Sequence, residues 1–255
     1  MILEYPEFVA WDKKIDSSDA LNNFNARQKK YLASFIKSDN FSRIHHKIEF
    51  VNDTFLDLFI PFYTKSIEAK KNPYVVDIKK LIELNSAKHE IYCLSIFEDN
   101  EFVGGSIFIH RKERITTSVK SYLRKWSTFN NSVSPTLLAE SYFYEHAIEH
   151  DYKQVSHGKD RNPYGLNSNI NLCATKLQLG YVPQLPKKGD CKTISIENIN
   201  EEVLVMLKPT SGNIITNAVL FSNDNNPEEL YNYLLSNKSE LDIKLVHLTN
   251  QTQMG

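Results

Sequence analysis

Cysteine is scarce in this sequence, which has three cysteines in 255 residues. Cys93, Cys173 and Cys191 are far apart in the chain, their number is odd, and no Cys-x-x-Cys pair occurs. This spacing argues against a disulfide framework and against a cysteine-type zinc site. We therefore expect the protein to function in a reducing compartment.

A long apolar run is also missing. No stretch of the sequence approaches the roughly 18 consecutive apolar residues that a membrane-spanning helix needs. The first residues, MILEYPEFVAWDKKIDSSD, lack the basic start and following apolar run of a signal peptide. We therefore expect a cytoplasmic protein without a membrane span.

The sequence has no excess of positive charge. Lysine and arginine total 30 against 31 aspartates and glutamates, so the formal net charge is -1. Proteins that bind nucleic acid through its phosphates are usually basic, so this charge disfavours that function. The remaining composition, with 41% hydrophobic and 24% charged residues, is ordinary for a globular protein with a substantial core.

The periodicity of apolar residues predicts a mixed α/β fold. A hairpin is predicted over residues 90–110, where two apolar runs flank Glu98-Asp99-Asn100-Glu101. Further strands are predicted at 42–52, 114–129, 153–158, 181–184, 191–198, 203–209, 213–222 and 242–249. Helices are predicted at 17–38, 52–70, 74–86, 134–152, 165–180 and 226–240. Pro61 is expected to kink or break the second of these helices.

Two glycines follow the hairpin turn, Gly104 and Gly105. Glycine there either lets a ligand approach the backbone closely or marks a β-bulge. The sequence leaves both interpretations open.

The helix predicted from residue 134 has a clear start, because Ser134 can cap it and Pro135 suits its first turn. A helix N-terminus presents unpaired amides and the positive end of the helix dipole, which attract phosphate. Ser132, Ser134 and Thr136 could add hydroxyl donors for the pyrophosphate or phosphopantetheine arm of a thioester donor. The alternative is that Ser134 caps the helix and that nothing binds there.

A polar stretch, VSHGKDRNPYG, begins in the strand predicted at 153–158 and continues as a predicted loop up to the next helix. The carboxyl end of a strand is where open α/β sheets place ligands. The density of ionisable side chains in this loop makes it a candidate reaction site. The alternative is a solvated connection with local pairing of its charges.

Acyl transfer to an amine needs a group that takes the proton of the amine, and stabilisation of the oxyanion. His157 is the candidate base, since an unperturbed histidine has a pKa near neutrality. Asp160 would orient His157 or hold the ammonium of the acceptor. Arg161 and Lys159 would bind a carboxylate or phosphate of the acceptor. Tyr164 would donate a proton to the leaving thiolate.

The stretch HAIEH contains His146, Glu149 and His150 in the order of an inverted zinc motif. No further ligand is evident in the sequence, and histidine is common at the C-terminal end of a helix. We therefore expect no metal. Lys176 is expected to be solvated, and Cys173 to be a buried small residue rather than a nucleophile.

The order of elements from residue 52 to residue 183 resembles the GNAT acyltransferase superfamily, and most closely its Fem-type branch. A helix like FLDLFIPFYTKSIEAKKNPY precedes a hairpin like LSIFEDNEFVGGSIFI in that branch. Next in that branch come a helix start like SPTLL and then a strand with a polar, glycine-containing loop like QVSHGKDRNPYG. The last helix of the family ends in a lysine, then a hydrophobic residue three positions later, then Gly-Tyr or Gly-Phe, and a proline after one more residue. The same pattern is formed here by Lys176, Leu179, Gly180, Tyr181 and Pro183. The resemblance covers roughly half of the chain.

The resemblance implies a GNAT-like α/β fold, a twisted and mostly antiparallel sheet with helices on both faces. We divide the chain into an N-terminal region (1–51), a GNAT-like core (52–186) and a C-terminal β-rich extension (187–255). The implied function is N-acyl transfer from acyl-CoA or an acyl carrier protein to an amine or hydroxyl of an amino sugar, amino acid or small peptide. Glu140 is assigned to acceptor binding.

Two departures from the family keep alternatives open. The Gln/Arg-x-x-Gly-x-Gly/Ala pyrophosphate loop is absent before Ser134, where STFNNSVSP stands, which puts acetyl-CoA in question. The chain is shorter than the two-lobed enzymes that use aminoacyl-tRNA, which puts tRNA in question. The alternative functions are a Fem-like transferase that uses aminoacyl-tRNA and a non-catalytic GNAT-like binding module. The sequence leaves the oligomeric state open.

Overall fold

The computed structural model describes residues 2–68, 75–123, 133–222, 234 and 241–248. The chain forms two compact units. We call residues 1–13 with 157–255 the terminal unit, and residues 14–156 the central unit. The domain divisions after residues 51 and 186 stay predictions.

The described part of the chain contains the following strands and helices, numbered in chain order. The strands are β1 (Ile2–Pro6), β2 (Phe8–Lys14), β3 (Ile44–Phe50), β4 (Ile91–Glu98), β5 (Glu101–His110), β6 (Ile115–Tyr122), β7 (Gln154–Arg161), β8 (Val182–Gln184), β9 (Cys191–Ser195), β10 (Val203–Met206), β11 (Asn217–Ser222) and β12 (Asp242–His247). The helices are α1 (Ala26–Ile36), α2 (Asp53–Glu68), α3 (Ile78–Ser86), α4 (Pro135–Glu149) and α5 (Ile170–Gln178), with short 3-10 helices at Ala20–Asn23, Asp39–Arg43 and Ile196–Asn198.

The sheet of the central unit has the hydrogen-bonded order β3-β4-β5-β6-β7. In the central unit, β3, β4, β5 and β6 pair antiparallel with their neighbours, and β6 pairs parallel with the start of β7. The predicted fold class, a mixed α/β fold with a mostly antiparallel sheet, is confirmed.

Helices cover both faces of the sheet in the central unit. Because side chains alternate along a strand, Ile107 and Ile109 of β5 face α2 and α3, whereas Phe108 faces the other way. Phe108 packs against Phe143 of α4, with ring centroids 4.7 Å apart. The first face forms a continuous core with α2, in which Phe55, Phe59 and Tyr63 are buried.

The predicted hairpin is present as β4 and β5. Asp99 and Asn100 form its turn with φ of 49° and 69°, the left-handed values that a two-residue type I′ turn requires. The ladder slips between Ile96 and Phe97, opposite Gly104, and this confirms the bulge interpretation of the glycine pair. Gly104 has φ of 152°, and the ring of Tyr122 packs where a Cβ would lie.

The terminal unit contains smaller sheets. β1 pairs antiparallel with β9, β2 with β8, and β10 with β11, whereas β11 and β12 are parallel. Tyr5, Val203, Val205 and Phe221 belong to its core. Asn162 is fully buried and links two strands: its amide nitrogen donates to the carbonyls of Pro6 and Met206, and its oxygen accepts from the Met206 amide.

Several sequence-based expectations differ from the structure. The strand predicted at 153–158 continues as β7 to Arg161, so the prediction of a loop is wrong for residues 159–161. Strand pairing with a distant segment explains this, because it satisfies the backbone whatever the polarity of the side chains. α2 continues through Pro61 without a break. The helix predicted at 226–240 lies outside the described residues except for Leu234, which is helical. Among the helices in the described part of the chain, each is too short or too polar to span a bilayer.

Candidate functional site

The parallel strands β6 and β7 pair through their first residues only. Their register consists of Ile115 opposite Val155 and Thr116 opposite Ser156. Within the described residues, the register between β6 and β7 ends at Thr116. The two strands therefore separate along the edge of β6 inside the central unit.

A bulge in β6 begins where this pairing ends. Ile107 of β5 lies opposite Val119, but the next residue, Phe108, lies opposite Thr117, so Ser118 has no partner residue on β5. A bulge increases the local twist and re-aims the strand, and bulges are frequent beside active sites. The bulge gives a physical reason for the early separation of β6 from β7.

A buried hydroxyl lies at the same point. Thr116 is 6% exposed, and its Oγ1 has no hydrogen-bond partner among the described residues. A buried hydroxyl without a partner costs free energy unless another group uses it. Thr116 was not singled out in the sequence, because nothing local distinguishes it from other strand threonines.

α4 follows β6 in the chain and starts as predicted. The Ser134 hydroxyl accepts a hydrogen bond from the Leu137 amide at 3.1 Å, and Pro135 occupies the first turn. The capping role of Ser134 is therefore confirmed, whereas phosphate binding stays a prediction. Thr136 is half-buried beside it, and Ser132 lies outside the described residues.

Glu140 lies further along α4 and is buried, with 3% of its surface exposed. Its carboxylate lies 4.0 Å from Nζ of Lys120 on β6. A buried carboxylate is stabilised by such a cation. The assignment of Glu140 to acceptor binding stays a prediction.

The C-terminal end of α4 carries a histidine cluster. His146 faces His110 of β5, with the two Nε2 atoms 3.0 Å apart. Burial and, as a smaller cause, the nearby His150 lower the pKa of His146 to about 3 and that of His110 to about 4. Both rings are therefore neutral at pH 7.

In the terminal unit, the ammonium of Lys176 is buried, so the prediction that Lys176 is solvated is wrong. Its Nζ donates to Oδ2 of Asp160 at 2.7 Å and to the carbonyl oxygen of His157 at 3.1 Å. The ring of Trp11 lies 5.6 Å from Nζ, within cation–π range. The ammonium that Asp160 holds is thus one from the protein itself, that of Lys176.

Tyr164 completes this buried group. Its hydroxyl accepts a hydrogen bond from Nε1 of Trp11 at 3.0 Å and donates to Asp160 at 3.4 Å. Burial, with the Asp160 charge as a second cause, raises the pKa of Tyr164 well above its usual value, so the phenol keeps its proton. Burial likewise raises the pKa of Cys173, which is buried as predicted and stays a thiol.

His157 lies at the start of this region and is 7% exposed. Its ring stacks on that of Tyr181, with centroids 4.0 Å apart. Gly158 follows with φ of 68°, a conformation that glycine adopts at little cost. The next residues alternate along the strand: Lys159 and Arg161 are exposed, whereas Asp160 between them forms the ion pair with Lys176.

The structure brings together some of the predicted residues. His157, Asp160 and Tyr164 share contacts with a common network in the terminal unit, centred on Lys176. Ser134, Thr136 and Glu140 lie on α4 of the central unit. Lys176 is the first residue of the motif that ends in Gly-Tyr-x-Pro, but the sequence gives no sign of its burial because its ion partner lies 16 residues earlier.

No protein-family model matches the chain, and no curated protein matches it. Among solved structures, the chain is similar to FemX, with 12% identity and a TM-score of 0.51 over 69% of this chain and 59% of that one. The chain thus spans less than two thirds of the FemX chain.

Two further structures have TM-scores below 0.5, and no conclusion depends on them. A conserved protein of unknown function from Bacteroides thetaiotaomicron has 10% identity and a TM-score of 0.48, with 76% of this chain and 61% of that chain covered. A tandem GNAT protein from the clavulanic acid biosynthesis pathway has 10% identity and a TM-score of 0.41, with 74% and 53% covered. The likeness to FemX concerns the fold alone: over the covered part, this chain has the GNAT/Fem-like fold that its sequence resembles.

Proposed function

We propose that the protein is an acyltransferase. It would move an acyl group from an acyl-CoA or acyl-carrier-protein thioester to an amine or hydroxyl of a small acceptor such as an amino sugar, amino acid or small peptide. The observation that carries this proposal is that, along the edge of β6, pairing with β7 ends after two residues, next to the bulge at Ser118.

The chemistry of a thioester donor suits this edge. A pantetheine arm is an extended chain with two amide groups, and an extended amide chain can hydrogen-bond to a free strand edge. The next described helix of the protein after β6 is α4, and its N-terminus at Ser134 would bind the phosphates at the far end of the pantetheine arm. The unpartnered Thr116 hydroxyl could donate to the donor's carbonyl oxygen.

The remaining roles follow from the chemistry of acyl transfer. His157 would take the proton of the attacking amine, and direct attack is favoured because no nucleophile for a covalent intermediate stands out. Arg161 and Lys159, both exposed, would bind an anionic group of the acceptor. Asp160 and Tyr164 would act as positioning residues that hold Lys176 against the carbonyl of His157.

Binding of a CoA donor at α4 is tested by thermal unfolding with CoA and a panel of acyl-CoAs. A ligand that binds only the native state should stabilise it by about 2.7 kcal/mol at a concentration 100 times its Kd. The Ser134→Asp variant should lose this shift, because aspartate still caps the helix but places a negative charge where phosphate would bind. Asn25→Asp is the matched control, since it makes the same change at the capped start of α1 and should keep the shift.

Different outcomes separate the parts of this proposal. An equal shift in Ser134→Asp and in the wild type would refute donor binding at α4. If no CoA compound shifts the wild type, a titration with acylated carrier protein tests whether the donor arm is presented by a protein. Transfer itself is measured as release of free thiol from the bound thioester on addition of an amine panel, and no release with any donor would refute the activity.

A further inference from the structure

The histidine cluster at the C-terminal end of α4 involves residues that the donor chemistry does not use. His146 and His150 are one helical turn apart and so lie on the same face of α4. His110 reaches this face from β5, although it is 36 residues away in the chain. The fold therefore adds His110, as a further candidate ligand, to the residues of the HAIEH motif.

We propose that His110, His146 and His150, with the carboxylate of Glu149, bind one divalent transition-metal ion. This replaces the sequence-based expectation of no metal with a specific site in the central unit. The ligand set of imidazoles with one carboxylate suits Zn²⁺ and its neighbours Co²⁺ and Ni²⁺.

The distances fit such an ion. Zinc–nitrogen bonds of about 2.0–2.1 Å in a tetrahedral site place two nitrogen ligands about 3.3 Å apart. The Nε2 atoms of His110 and His146 are 3.0 Å apart, so an ion could replace their hydrogen bond after a movement of a few tenths of an ångström. The ligand atoms of His146, Glu149 and His150 lie within 4.8 Å of one another, and the two last residues are exposed and can adjust.

The surroundings of the rings are those of metal ligands. Nδ1 of His150 lies 2.9 Å from the carbonyl oxygen of His146, which can only accept a hydrogen bond. In the neutral tautomer that this hydrogen bond selects, Nδ1 of His150 carries the hydrogen and Nε2 has the lone pair that a metal ion needs. The carboxylate of Glu90 lies 3.7 Å from Nδ1 of His110, on the side away from His146. Ligand histidines commonly have such a carbonyl or carboxylate behind the ring.

Aromatic rings pack against the histidine cluster and restrict the rotation of its imidazole rings. Tyr92 stacks on His110 with centroids 4.5 Å apart and lies 4.9 Å from the ring of His146. An ion there would join the end of α4 to β5. α4 has 15 residues, so this site lies about 22 Å along the helix from Ser134. The metal site and the donor site can therefore fail independently.

The test is metal binding to chelator-treated full-length protein. Co²⁺ titration should produce the visible absorption of a tetrahedral ion with one ion per chain, and Zn²⁺ should displace it. His150→Ala and Glu149→Gln change exposed ligands, so the fold should persist and the affinity should fall by at least about tenfold. His45→Ala removes an exposed histidine elsewhere in the central unit, on β3, and should bind as the wild type does.

The decisive comparison is between His150→Ala and His45→Ala. Equal Co²⁺ affinity in these two variants would overturn the proposal, as would an absence of stoichiometric binding in the wild type. A further variant, His110→Gln, tests the ligand from β5. If it retains wild-type affinity and tetrahedral absorption while its circular dichroism is unchanged, the three-histidine site is refuted.

Discussion

Replacing Lys176 by methionine is expected to lower the free energy of unfolding by about 3–5 kcal/mol, the usual cost of breaking a buried ion pair. Methionine has a similar length, so the loss is mainly electrostatic. The Lys176 and Asp160 side chains are 4% and 10% exposed, so without the ammonium the Asp160 carboxylate loses a charged partner at a buried position. The carbonyl of His157 also loses its donor.

Urea unfolding measures this effect. Lys192→Met is the matched control, because Lys192 pairs with Glu7 at the same 2.7 Å in the same unit but is exposed to solvent. Its stability should be unchanged within error, since exposed ion pairs contribute little. The double variant Lys176→Met/Asp160→Leu should recover most of the loss, because no buried charge remains. A stability of Lys176→Met equal to that of Lys192→Met would contradict the buried ion pair.

The parts of the fold that the sequence predicts correctly have local causes. The β4–β5 hairpin depends on two turn residues, Asp99 and Asn100, that tolerate positive φ. The start of α4 depends on Ser134 and Pro135, whose effects act within one turn of helix. A single sequence contains all the information for such features.

The site residues show where that information ends. The sequence predicts a loop at residues 159–161 because their polarity is visible in the sequence, whereas the distant strand that pairs with them is not. Lys176 was expected in solvent because its partners come from elsewhere: Asp160 is 16 residues away, and Trp11 is at the other end of the chain. Sequence spacing reports neighbours along the chain, and these contacts arise only when separate elements pack together.

The same limit applies to function. A GNAT-like fold shows how the chain is built, and the same fold can support different acceptors or none. The features that support the proposed acyl transfer are local ones: the bulge at Ser118, the hydroxyl of Thr116 without a partner among the described residues, and the capped start of α4. Each concerns the donor. The acceptor side rests on the proposed role of His157.

If His157 is the general base of an acyltransferase, replacing it by alanine should lower kcat by about 10²–10⁴-fold. The expected effect is on kcat more than on KM, because the imidazole acts on the proton transferred in the transition state. His157 also stacks on Tyr181, so the substitution removes packing as well. Thermal unfolding of the variant measures that second effect separately.

Two measurements distinguish the base from a packing residue. Added imidazole should restore part of the turnover of His157→Ala, because a free base can enter the space that the side chain leaves. The acidic limb of the pH–kcat profile should also disappear in the variant, since that limb reports protonation of the base. Tyr181→Leu is the control: it removes the stacked ring but keeps the imidazole, so it should keep the acidic limb. If Tyr181→Leu and His157→Ala lose equal activity with the same pH profile and neither responds to imidazole, His157 serves packing, and another group takes the proton.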